Sequence, residues 1–120
     1  MMEPVTRSVM LPVLREEAWG ALTTLDLLAA WLGEVVELEP KAGGAVVVRE
    51  ADGSTRRGLV ERIEPGRPLV LRWRRISGAG ASIEVGEATR VTLELEDEDG
   101  QVRLTVTEEP VALVAAAVAR

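Results

Sequence analysis

The chain has no histidine, cysteine, tyrosine or phenylalanine, and its aromatic residues are three tryptophans, Trp19, Trp31 and Trp73. Without imidazole or thiol it has neither a Ser-His-Asp nor a Cys-His nucleophile, and no zinc site built on nitrogen or sulfur ligands. General acid–base work falls to carboxylates, Lys41 or water. The lack of cysteine also excludes a disulfide framework. No stretch approaches the roughly 18 apolar residues a membrane span needs. Met1–Met10 carries Glu3, Pro4 and Arg7 and lacks the apolar segment of a signal peptide. Basic residues are in deficit, 14 Lys and Arg against 20 Asp and Glu, for a net charge of −6. That balance argues against nucleic acid as a partner. Together these absences lead to the expectation of a cytoplasmic protein that binds rather than breaks bonds, with no metal and no cofactor.

What is present is an ordinary globular composition, 47% hydrophobic and 28% charged over 120 residues, which reads as one domain over 1–120. The N-terminal part predicts a strand over Thr6–Leu14, stopped near Pro12, then two short helices over Arg15–Leu22 and Leu25–Leu32. Trp19 and Leu22 share a face of the first; Leu28, Trp31 and Leu32 share a face of the second. From Val35 the apolar period changes from helical to alternating. Strands are expected at Val35–Leu38, Ala45–Glu50, Thr55–Ile63, Leu69–Ile76, Thr89–Glu96 and Gln101–Thr107. Asp52-Gly53, Pro65-Gly66 and Asp99-Gly100 mark turns between them. Leu69, Leu71 and Trp73 fall on one face, with Arg72 and Arg74 on the other. Val91, Leu93 and Leu95, and then Val102, Leu104 and Val106, alternate in the same way. Such alternation belongs to an antiparallel sheet with one covered face. Pro110–Arg120 reads as a terminal helix with Pro110 in its first turn. The fold class is α+β.

Four segments in order carry a resemblance. They are Val13–Thr23 followed by Leu28–Leu32 with Trp19 and Trp31, Pro40–Gly44, Gly58–Pro65, and Arg67–Trp73. They resemble the activator of heat-shock-protein-ninety ATPase homologue-like (AHSA-type) family of the START-like helix-grip superfamily, over nearly the whole span from Val5 to Glu108. The resemblance implies a curved antiparallel sheet of about seven strands gripping a C-terminal helix over an apolar cavity. It carries over no catalytic residue, because members share a scaffold rather than one active site. Two departures are visible. The terminal helix has eleven residues, about half the family's usual length, and most of the cavity aromatics are replaced by Val and Leu.

A cavity of that kind would be lined by Trp31, Val47, Val60, Leu71, Trp73, Val91, Leu93, Leu104 and Val114. Its mouth would lie near the Gly/Ala/Ser segment, with Gly78, Gly80, Glu84 and Glu87 at the entrance. Trp31 and Trp73 are the best candidates for ligand contact, against the plainer reading that they fill a core short of aromatics; Trp19 reads as core. Arg49, Arg62, Arg72, Arg74 and Arg103 read as outward residues paired with Glu61 or Glu94. Three functions stay open. The favoured one is non-catalytic binding of a hydrophobic small molecule in an accessory or regulatory role. The others are a cyclase, dehydratase or isomerase using the same cavity, and, by analogy with the family name alone, a partner of a heat-shock ATPase. A homodimer is also expected, with Val46-Val47-Val48 as an edge strand that needs covering.

Overall fold

Strict apolar–polar alternation over most of the chain leaves one arrangement that buries the apolar set, a sheet with a single covered face. The computed structural model, which describes residues 4–23, 34–78 and 82–111, has that arrangement. The elements run β1 (Val5–Leu11), α1 (Arg15–Leu22), β2 (Glu34–Leu38), β3 (Ala45–Arg49), β4 (Thr55–Arg62), β5 (Leu69–Ser77), β6 (Glu84–Val85), β7 (Thr89–Glu98) and β8 (Gln101–Pro110). All pairings are antiparallel, in the order β1-β8-β7-β5-β4-β3-β2, with β6 on β5. Opposite its neighbour β4, β5 carries β7 along Leu69–Trp73 and then β6 at Ile76 and Ser77.

Turn chemistry sets the register. Asp99 and Gly100 both have positive φ, 50° and 77°, the requirement of the tight two-residue hairpin whose twist matches its strands. They place Glu98 opposite Gln101 and so fix the whole β7–β8 ladder. Gly58 is needed for a different reason. A Cβ there would lie 1.8 Å from the Arg72 carbonyl oxygen, so only glycine lets β4 approach β5 beside Trp73.

The covered face is continuous. Val46, Val48, Val60, Leu71, Val91, Leu93 and Leu104 are each 0–1% exposed. α1 adds Ala18 and Leu22 to this cluster. Its first turn carries Glu16 and Glu17, which suit the positive end of the helix dipole. Trp19, expected in the core, is only partly buried.

The structure corrects three expectations and leaves two helices outside the described residues. It has eight strands rather than seven, because the two-residue β6 is too short to show alternation. The first predicted helix is α1; the predicted helix Leu25–Leu32, with Trp31, lies outside the described residues, as does most of the predicted terminal helix. Pro110 closes β8 opposite Thr89 instead of lying in a helical turn. Val46–Val48 is not an edge: β3 lies between β2 and β4, and the sheet's margins are β1 and β2.

Because the Gly58 contact is with backbone, it cannot be relieved by a side-chain rotation. Gly58→Ala is expected to lower stability by at least about 2 kcal/mol in chemical denaturation. A loss below about 0.5 kcal/mol would show that the β4–β5 approach is not close.

Candidate functional site

The inner face is apolar for most of its length and ionic at one end. Along β8 the inward positions run Val102, Leu104, Val106 and then Glu108. On β5 they run Leu69, Leu71, Trp73 and then Arg75, and Arg56 on β4 lies directly across from Arg75. Glu50 follows β3 at the same end. Period-two geometry therefore brings two carboxylates and two guanidinium groups together against the Trp73 indole.

Glu108 is the hub. Its Oε2 accepts from Thr89 Oγ1 at 2.7 Å and from Trp73 Nε1 at 3.1 Å, and Arg56 Nη1 donates to both carboxylate oxygens at 3.0 Å. Arg56 also pairs through Nε with Glu50, and Arg75 Nη2 lies 3.1 Å from that same carboxylate. The Ser54 hydroxyl, which donates to Asp52 Oδ1 at 2.6 Å, lies 3.2 Å from Glu50 Oε2. The Arg56 guanidinium carbon lies 5.2 Å from the centroid of the Trp73 ring, within cation–π range. The side chains of Glu50, Arg56 and Glu108 are only 19%, 21% and 18% exposed. Trp73 is 2% exposed.

Burial alone would raise the pKa of Glu108. The hydrogen bonds from Thr89 and Trp73 and the charge of Arg56 outweigh it, holding the carboxyl below the ordinary value of 4.5. Glu50 behaves alike: burial opposes ionisation, and Arg56 and Arg75 overcome it. Both groups are therefore ionised at neutral pH, and both have their oxygens taken up by donors from the protein. Carboxylates in that condition are poorly placed to take a proton from a substrate and well placed to hold Arg56 and Trp73 still.

A cavity of about 180 Å³ opens beside this cluster. Arg56, Trp73, Arg75, Thr89 and Glu108 form its walls, with Gly86 and Glu87 from the link between β6 and β7. Arg75, with its side chain half exposed, lies at the rim. Among the described residues no group of three or more carboxylates gathers in a way that could hold a metal ion.

Of the residues singled out from sequence, Trp73 and Glu87 meet at this cavity. Val60, Leu71, Val91, Leu93 and Leu104 share the inner face but are packed against one another in the core. Val47 points to the opposite face from Val46 and Val48, since neighbours on a strand alternate. Gly78 sits at φ 82° in the loop after β5, and Glu84 is exposed on β6. Trp31, Gly80 and Val114 lie outside the described residues. On the outer face Arg72 and Arg90 share Glu61, as expected for Arg72, whereas Arg49 pairs with Glu34 and Arg103 with Glu98. Glu50, Arg56, Arg75, Thr89 and Glu108 were missed as site residues. The signal was available: continuing the alternation two residues past Val106 puts Glu108 inward, but a strand ended at Thr107 stops short of it.

The lowered carboxyl pKa values set an acid limit. A folded-state pKa below the unfolded value adds stability that is complete above the unfolded pKa, near 4.5, and is lost as pH falls through the folded value. Glu108→Gln is expected to cost about 2–3 kcal/mol at pH 7. Its deficit relative to the parent should shrink as pH falls from 5 to 3 in denaturant titrations. Parallel stability curves would show that Glu108 is not held as an ion.

Comparisons with known proteins agree with this architecture. In solved structures the fold recurs in protein MLL2253 from Mesorhizobium loti, with a TM-score of 0.72 and 19% identity over 90% of this chain and 76% of that one. It recurs in DynU16, from the dynemicin biosynthetic locus, with a TM-score of 0.70 and 25% identity over 98% of this chain and 43% of that one. The Aha1 dimer from Colwellia psychrerythraea gives a TM-score of 0.62 and 20% identity, covering 91% and 77% of the two chains. Comparison with curated protein sequences finds no match. Among the described residues no helix is long and apolar enough to cross a membrane. The sequence profile of the "Activator of Hsp90 ATPase homolog 1-like protein" family matches residues 12–119, and the chain belongs to that AHSA-type family of the START-like superfamily.

Proposed function

We propose that this domain binds a small hydrophobic molecule bearing one polar group, without catalysing its conversion, in an accessory or regulatory role. The observation that carries the reading is the ionic cluster of Glu50, Arg56, Arg75 and Glu108 beside the Trp73 indole, at the end of an otherwise apolar face. A fold that needed only a core would fill these inward positions with valine or leucine, as it does at Leu69, Leu71, Val102, Leu104 and Val106. The buried Trp73 ring backs one wall of the cavity, and the rim guanidinium of Arg75 offers a donor to the polar group.

The saturation of both carboxylates favours binding over the cyclase, dehydratase or isomerase alternative, which would need a base with a free oxygen. DynU16, whose gene lies in a biosynthetic locus, is consistent with a role beside small-molecule chemistry. Self-association fits the same reading. Among the described residues the marginal strands β1 and β2 are each paired on one side, and the Colwellia psychrerythraea relative is a dimer.

Tryptophan fluorescence during titration with medium-chain fatty acids, the matching alcohols and polycyclic aromatics tests the proposal. We expect a saturable change at one equivalent for at least one of these compounds. Affinity should fall at least tenfold in Trp73→Leu and be unchanged in the outer-face control Arg72→Ala. No saturable response, or one indifferent to Trp73, would overturn the reading.

A further inference from the structure

We infer that the domain carries a second, independent ligand site, for a small neutral aromatic molecule, between α1 and the β4–β5 turn. A cavity of about 320 Å³ lies there, with Trp19, Pro65, Pro68 and Leu95 as its apolar walls. That volume is at the small end of the range of ligand pockets, about 300–1,000 Å³, and suits one or two fused rings.

The walls are held rigidly. The turn has Pro65 at its second position and Gly66, at φ 81°, at its third, and the Arg67 N–H donates to the Glu64 carbonyl at 3.0 Å. This is the type II pattern, in which proline fixes one φ and glycine supplies the left-handed one. Pro68 fixes the exit into β5. On the other side, Trp19 is carried on a helix whose Ala18 and Leu22 are buried at 1% and 3%. A cavity between a locked turn and an anchored helix resists collapse and exists before any ligand arrives.

Two observations indicate what it takes. Trp19 is only partly buried, although the chain has just three aromatic residues with which to fill its core. An indole half-covered at the wall of a preformed cavity is a stacking surface for a flat ring. The charged residues around the cavity are two of each sign, Arg15 and Arg67 against Glu16 and Glu94. Arg15 is also engaged by Asp97 at 3.7 Å. Balanced charge gives no net attraction to an anion or a cation, which leaves a neutral ligand as the best fit.

This site is separate from the one at Trp73. Leu95 and Thr89, on the inner face of β7, belong to opposite cavities and stand six residues apart, or about 20 Å along a strand. Between them lie Val91 and Leu93, each 1% exposed.

Amide and indole NMR of the full chain, titrated with indole, indole-3-acetate and tryptamine, tests the inference. We expect indole to produce saturable shifts at the Trp19 indole N–H and at the amides of Gly66 and Leu95, with the Trp73 indole N–H unmoved. Leu95→Phe, which extends into the cavity, should weaken indole at least tenfold; if that variant does not fold, the map on the parent chain decides alone. No shift at Trp19 up to millimolar indole, or shifts centred on Trp73 instead, would overturn the second site. Tenfold tighter binding of the acetate or the amine would overturn its assignment to a neutral ligand.

Discussion

The ionised carboxylate of Glu108, held inside the sheet, is the constraint on which the polar end of this structure depends. Burying a carboxylate costs several kcal/mol unless opposite charge and hydrogen bonds meet it. Here the partners come from three other strands: Arg56 on β4, Trp73 on β5 and Thr89 on β7. One side chain on β8 therefore requires four strands to be in register at that end. Glu50 and Arg75 extend the requirement outward, since Arg56 is shared between two carboxylates. The result is a fixed polar surface in which neither the indole nor the guanidinium is free to turn.

The rest of the inner face follows a different logic. Among the described residues, leucine and valine are buried along it, and the cavities at Trp19 and Trp73 lie toward its two ends. These two cavities differ in character, the one at Glu108 charged and the one at Trp19 walled by apolar residues. The family relation supplies the scaffold, and the chemistry at each end is this chain's own.

Much of the fold was legible in the sequence, for identifiable reasons. α1 begins and ends where Arg15 and Leu22 were expected, and β3, β4, β5 and β7 start at the expected residues, because alternation and Gly-containing turns are local signals. What escaped was non-local. β6 has only two residues and exists because β5 offers it an edge at Ile76 and Ser77. The end of β8 escaped because Thr107, Glu108 and Glu109 look like a polar stop, and only the Arg56 opposite makes a buried glutamate there reasonable. Trp73 was legible as a site residue from its inward face. Arg56 was not, since an arginine on an inward position carries no sign of its partner until the strands are paired. Val47 was misplaced because Val46-Val47-Val48 has no alternation from which to choose a face.

The central claim is that Arg56 and Glu108 act as one buried unit, and a double-mutant cycle measures that directly. Stabilities of the parent, Arg56→Met, Glu108→Gln and the double variant at pH 7 and low salt give the coupling free energy. The account predicts a favourable coupling of about 2 kcal/mol, so that the double change costs less than the sum of the two single changes by that amount. A coupling below about 0.5 kcal/mol would contradict it, and would mean that the two charges are solvated neighbours rather than the polar foundation of the site.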